Sequence, residues 1–147
     1  MTKYVLDTSL YIRAFRDRAG ADALARWYEA FTPFIHLSSV VLHELLAGAT
    51  SPAKARQVAR SIAEPFERTN RLITPSHTAW AVAGETLAGM AREEGLELRR
   101  TPKSFVHDVV LAASCRESGV TLVTGNARDF RRIERWVELE WLEAWPW

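Results

Sequence analysis

"HDVVLAASCRESGVTLVTGNARDFRRI", residues 107–133, runs from helix to strand to helix, and that order decides the fold. Residues 103–119 read as a helix that Gly119 can end. Val106, Val109, Val110 and Ala113 make one apolar face, and Leu111, Ala112 and Cys115 make the other side nearly as apolar. A helix with so little polar surface belongs in an interior. "VTLVTGN", residues 120–126, is a strand, and "ARDFRRIERW", residues 127–136, a short helix. A buried helix leading into a strand and out through another helix is the unit of a parallel sheet.

Working outward, the same alternation fills the chain. "KYVLD" (3–7), "FIHLS" (34–38) and "RLITP" (71–75) are further strands, and "VELEWL" (137–142) is a candidate edge strand. Helices are expected over residues 9–16, 21–31, 40–49, 51–64 and 76–95. Ser38 or Ser39 can cap the third of these, whose apolar stripe is Val41, Leu42, Leu45, Leu46 and Ala49. Pro52 suits the first turn of the fourth, and Pro65 should end it. Strands separated by helices imply right-handed crossovers, hence an α/β sandwich around a mainly parallel sheet of four or five strands. "RLIT" ends in Pro75 and Ser76 with no acid, so it should lie away from the centre.

The 147 residues suit one domain, 48% hydrophobic and 25% charged, as in a globular protein. No apolar run has the length of a membrane span, and the N-terminus lacks a signal-peptide core. Cys115 is the only cysteine, which excludes an internal disulfide framework and a cysteine-built zinc site. A reducing cytoplasm is the default setting. Net charge is +1, so the chain is no polycation. Its basic residues are nearly all arginine, whose fork suits phosphate, although GC-rich coding explains that bias equally well. They cluster as Arg99, Arg100 and Lys103, and as Arg128, Arg131, Arg132 and Arg135.

Ligands of open α/β sheets bind beyond the carboxyl ends of the strands, so acids placed there matter. Asp7 ends the first strand, where it is either a helix cap or a site residue. Glu44 lies about one turn into the helix after "FIHLS", off its apolar stripe, where an exposed glutamate is also ordinary. Asp129 follows Asn126 by three residues, which doubles as a good helix start. Asp108 is harder to dismiss, because an uncompensated carboxylate within an apolar helix is very costly. It must be protonated, paired with a cation or bound to a metal. Taken together, four acids on one rim would repel each other and raise their own pKa values. A divalent cation resolves this, and an all-oxygen donor set favours Mg²⁺ or Mn²⁺ over zinc.

These residues carry a resemblance. "YVLDTSLYI" (4–12), "LSSVVLHELLAGA" (37–49) and residues 107–133 resemble the motifs of PIN-domain ribonucleases, most closely the VapC-type toxins of toxin–antitoxin pairs. The resemblance covers essentially the whole chain, so residues 1–147 are expected to form one PIN domain with a PIN-like α/β/α sandwich. It implies that Asp7, Glu44, Asp108 and Asp129 hold one or two Mg²⁺ or Mn²⁺ ions, Asp7 and Asp108 as the principal ligands. Thr8 or Ser9, Thr124 and Asn126 fall where the family places supporting polar groups. Ser9 stands where many relatives have asparagine, and Gly125 where a basic residue is common, with Arg128 as the expected substitute. The implied activity is endonucleolytic cleavage of RNA by metal-activated water, leaving a 5′-phosphate and a 3′-hydroxyl. The implied partners are an RNA substrate, a small VapB-type antitoxin that occludes the site, and a second copy in a homodimer.

Arg99, Arg100, Lys103, Arg128 and Arg131 are candidates for gripping RNA phosphates. His107 neighbours Asp108, but adjacent helical residues point about 100° apart. It therefore reads as structural or substrate-facing rather than as a general base. Trp136, Trp141, Trp145 and Trp147 crowd the C-terminus and suit closing the core or a protein interface better than stacking on bases. The alternative from another class is a non-catalytic PIN-like domain that binds RNA or protein, against which the four intact acids argue. A haloacid-dehalogenase-type site would want a second aspartate two residues after Asp7, where Ser9 stands. A nucleotide-binding module would want a glycine-rich phosphate loop, and none is present.

Overall fold

The computed structural model describes residues 1–145. Five short strands form its sheet: β1 (Tyr4–Leu6), β2 (Ile35–Ser38), β3 (Leu72–Ile73), β4 (Thr121–Thr124) and β5 (Trp141–Glu143). Their order is β3-β2-β1-β4-β5, and every pairing is parallel. Between them run α1 (Thr8–Arg16), α2 (Arg18–Phe31), α3 (Ser39–Gly48), α4 (Pro52–Gln57), α5 (Glu64–Arg68), α6 (His77–Glu94), α7 (Lys103–Ser118) and α8 (Ala127–Ile133). The helices cover both faces of the sheet, giving the expected α/β/α sandwich. No helix among the described residues is long and apolar enough to cross a membrane.

The topology fixes the place of any site. From β1 the chain steps outward to β2 and β3, then returns to lay β4 against the other side of β1. The order therefore reverses between β1 and β4, the position at which a crevice opens beyond the strand ends. β3 lies at the edge, as its sequence suggests. Val5, Leu6, Ile35, Leu37, Leu122 and Val123 are essentially inaccessible to solvent, so the sheet is covered on both sides. Against it α7 buries Val109, Val110, Leu111, Ala112 and Cys115, which accounts for a helix apolar all round.

Local signals explain the helix boundaries and their exceptions. The Ser38 hydroxyl accepts from the Val40 N–H and starts α3, while Gly95 and Gly119 end α6 and α7 in the left-handed conformation. Within α3, Val40 is buried and Leu46 is exposed, so the apolar stripe sits one position from its expected place. Pro65 does not end its helix. The chain widens into a π turn over Val58–Ala63 and continues as α5 to Arg68. Proline lacks an N–H and its ring would strike the carbonyl four residues back; the wider turn relieves both problems.

The C-terminal part also differs in detail. α8 ends at Ile133 rather than residue 136, and the last strand occupies residues 141–143 instead of 137–142. Val137 is buried by packing, not by sheet pairing. Trp136 lies on Gly89 of α6 and donates to Glu94; Trp141 donates to Glu134 across 2.6 Å. Trp145 meets Trp27 with ring centres 5.7 Å apart. These three tryptophans seal the structure, and Trp147 lies outside the described residues.

Candidate active site

The reversal point between β1 and β4 is where the first acid stands. Asp7 follows β1 directly and its backbone N–H donates to the Val123 carbonyl of β4. It is only 3% exposed and also caps α1, with Oδ1 accepting from the Thr8 N–H at 2.7 Å. Oδ2 accepts from the Thr124 hydroxyl at 2.7 Å and from Ser9 at 3.5 Å. Cap and site residue are thus the same carboxylate. Burial pushes its pKa up, the bonds from Thr124 and Thr8 pull it down, and the charge of Glu44 pushes it up again.

Glu44 reaches the rim from α3. Its Oε1 accepts from the Thr8 hydroxyl at 2.8 Å, and its Oε2 lies 3.4 Å from Nδ1 of His107. The His107 ring stands edge-on to His43, with centres 5.2 Å apart. His107 therefore orients Glu44 from a neighbouring helix, a contact between α3 and α7 that nothing in the sequence announces.

Asp108, on α7, is 6% exposed. Among the described residues no arginine or lysine pairs with it, nor with Asp7 or Asp129, so the structural ion-pair explanation fails for these three, while Glu44 has His107 as its basic neighbour. Asp108 has one side-chain hydrogen bond among the described residues, from Asn126 Nδ2 at 3.3 Å. The carboxyl is pushed up to about 9, by burial first and then by the charges of Asp7, Glu44 and Asp129, against a smaller pull from Asn126. Shared partners tie the acids together: Thr8 bonds both Asp7 and Glu44, and Asn126 bonds both Asp108 and Asp129.

Asp129 comes from the first turn of α8, where its Oδ2 accepts from Asn126 Nδ2 at 2.9 Å. The Asn126 side chain does not cap α8; its amide bridges Asp108 and Asp129, while its N–H donates to Thr124 Oγ1 at 2.9 Å. Thr8, Ser9, Thr124 and Asn126 thus all touch the acids. The basic candidates lie on exposed surface. Arg100 pairs with Glu97 and Arg131 with Glu143, whereas Arg99, Lys103 and Arg128 have no ion pair among the described residues. Arg13, which the sequence did not single out, lays its guanidinium on Gly125 between Thr124 and Asn126.

A groove of about 500 Å³ opens beside the acids and meets them at Glu44. Ile12 and Phe15 of α1, Leu45 of α3 and Val58 give it apolar walls, and Lys54 adds a positive charge. Arg16 and Gln57 also line it, whereas Asp7, Asp108 and Asp129 do not, so the groove adjoins the acids through Glu44 alone.

Among the described residues, no three His, Cys, Asp or Glu side chains are arranged to enclose an ion. That does not conflict with the donor chemistry. Mg²⁺ usually takes one or two carboxylates and keeps several waters, unlike a cation held in an all-protein cage. Two buried carboxylates with raised pKa values, flanked by two more, fit such an ion.

A family model for the PIN domain matches residues 4–135. Among solved structures, the DNA-bound VapBC from Salmonella typhimurium superposes with a TM-score of 0.71 at 22% identity, covering 97% of this chain and 98% of that one. FitAcB from Neisseria gonorrhoeae gives 0.69 at 15%, covering 98% and 99%. VapBC-1 from nontypeable Haemophilus influenzae gives 0.67 at 23%, covering 97% and 98%. No curated protein sequence matches the chain. The family match spans most of the chain and takes in all four acids: the chain belongs to the PIN domain family.

Proposed function

We propose that residues 1–147 form a single-domain VapC-type toxin, a Mg²⁺- or Mn²⁺-dependent endoribonuclease of the cytoplasm held in check by a VapB-type antitoxin. One observation carries this reading. Four acids from four separate elements lie around the β1–β4 reversal, two of them deeply buried, and none forms an ion pair with an arginine or lysine among the described residues. A structural role does not explain four carboxyl groups gathered without such partners.

Asp7 and Asp108 would hold the metal directly, with Glu44 and Asp129 acting directly or through water. When bound, the ion supplies charge neutralisation for the phosphodiester and lowers the pKa of the attacking water. The chain's own residues do the rest. Thr124 and Thr8 fix the rotamer of Asp7, so its oxygens face the crevice without reorganisation. Thr8 and His107 hold the two oxygens of Glu44. Asn126 keeps Asp108 and Asp129 at a set spacing. Exposed Arg99, Lys103 and Arg128 are suited to steering RNA phosphates towards the rim, with Arg100 and Arg131 available once their surface ion pairs exchange.

The groove between α1 and α3 suits an amphipathic antitoxin segment, because apolar Ile12, Phe15, Leu45 and Val58 line it together with charged Arg16, Glu44 and Lys54. The resemblance to toxin–antitoxin complexes supports that partner, and a homodimer is the expected assembly. Induced expression of the wild type beside Asp7→Asn, followed by mapping of new 5′-phosphate ends, tests the function. Growth arrest with discrete RNA cuts in the wild type alone is the expected result. Equal cutting by both proteins would reject it.

A further inference from the structure

Two glycines in this chain lie against the same neighbour, Arg13. Neither Gly20 nor Gly125 adopts a positive φ, so backbone conformation does not demand glycine at either place. At Gly20 the close neighbour is backbone, and at Gly125 it is the far end of the Arg13 side chain, which a Cβ would move aside. A Cβ on Gly20 would stand 2.5 Å from the Arg13 carbonyl oxygen, and a Cβ on Gly125 would collide with Nη2 of Arg13 and stand 2.9 Å from its Cζ. The Arg13 carbonyl also accepts from the Asp17 N–H at the junction of α1 and α2. The main chain of this arginine is thus fixed by Gly20 and its guanidinium rests on Gly125.

That resting place lies within the candidate site. Gly125 sits between Thr124, which donates to Asp7, and Asn126, which donates to Asp108 and Asp129. Arg13 itself is exposed, and among the described residues no carboxylate pairs with it. An arginine laid on the backbone between two residues that bind the acids, and paired with no carboxylate among the described residues, keeps its donor fork free for an incoming anion.

We infer that Arg13 is a substrate-binding residue that grips a phosphate of the RNA strand next to the scissile bond, and that Gly125 is glycine to make room for it. The inference rests on the ribonuclease reading above. It assigns Arg13 to the strand's backbone, so it contributes to binding without selecting a sequence.

The test follows cleavage of a fluorescent pool of random-sequence single-stranded RNA in Mg²⁺ or Mn²⁺, with KM, kcat and salt dependence measured separately. Arg13→Ala is expected to raise KM about tenfold with kcat changed less than about twofold, as for loss of one charge-assisted phosphate contact. The slope of log affinity against log salt should fall by about 0.7, the value for one phosphate contact on a single strand. Arg13→Lys should restore the salt slope but not the full affinity, since a point charge replaces a fork. Gly125→Ala keeps the charge but pushes the guanidinium aside, so it should raise KM by a similar factor. Added to Arg13→Ala, it should do nothing more.

Melting temperatures of the Arg13 variants should stay within about 2 °C, because an exposed side chain is changed. Wild-type KM and salt slope in Arg13→Ala, or additive effects in the double variant, would overturn the role of Arg13 while leaving the ribonuclease reading intact. A wild-type protein that neither binds nor cuts the pool would overturn both.

Discussion

Thr124 and Asp7 lie 117 positions apart in the chain, yet the threonine hydroxyl donates to Oδ2 of the aspartate across 2.7 Å. The bond joins the carboxyl ends of β4 and β1, the two strands between which the sheet changes direction. It is fully buried and favours the charged form of Asp7. Thr124→Val keeps the shape and removes the donor. The Asp7 carboxyl should then rise further, because the bond that stabilised its ionised form is gone. We expect about a tenfold loss of RNA cleavage at neutral pH, with the acid limb of the pH–rate profile moved to higher pH. An unmoved acid limb would contradict this role.

Asp108 makes stability depend on pH. Its folded carboxyl titrates at about 9, whereas an unfolded aspartate does so near 3.9. Between those values the folded chain holds a proton that the unfolded chain has released, so stability falls as pH rises through this range. In chelator, the melting temperature of the wild type should therefore decline from pH 5 to pH 9. Asp108→Asn should flatten the decline and melt higher than wild type at pH 8, while losing nuclease activity. Parallel melting curves for the two proteins would refute the assignment.

On the proposed reading, cation and proton compete for the same carboxylates. Mg²⁺ should raise the wild-type melting temperature more at pH 8 than at pH 5.5, and its binding should release protons. Calorimetry in buffers of different ionisation enthalpy reads that release directly. The Asp108→Asn variant should show little of either effect.

Cys115 is completely buried on α7, and burial pushes its thiol up to about 12. The folded protein should resist alkylation by iodoacetamide at pH 8, then react fully in guanidinium chloride. Rapid modification of the native chain would show that α7 opens far more readily than its packing implies.

Gly89 on α6 is a notch for Trp136, since a Cβ there would stand 2.5 Å from the indole ring. Gly89→Ala should destabilise the fold by about 1–3 kcal/mol in urea unfolding, because the ring and its bond to Glu94 must shift together. Tryptophan fluorescence should report the displacement.

The alternation of apolar runs was sufficient to place four strands, the long helices and the parallel sheet, because those features depend on local period and on right-handed crossover. Asp7, Glu44, Asp108 and Asp129 were legible for a related reason: three of them follow strands and the fourth interrupts an apolar helix. What the sequence hid depends on contacts between distant elements. The π turn before Pro65 was invisible because proline ordinarily stops a helix, and only tertiary packing keeps the chain helical to Arg68. The last strand shifted because Val137 is buried without pairing. The grip of His107 on Glu44 joins two helices, and that of Arg13 on Gly125 joins a helix to a loop. A glycine that exists to admit a side chain looks, in one dimension, like a glycine that exists to turn.

The capping bond from Asp7 to Thr8 has an evolutionary corollary. Residue 7 starts a helix as well as serving the proposed metal site, whereas residue 108 places a carboxyl group in an interior that is costly to charge. A lineage abandoning this chemistry could therefore shed the acid at 108 and gain robustness, while erosion at 7 would loosen the scaffold. Inert descendants should carry that asymmetry as their scar.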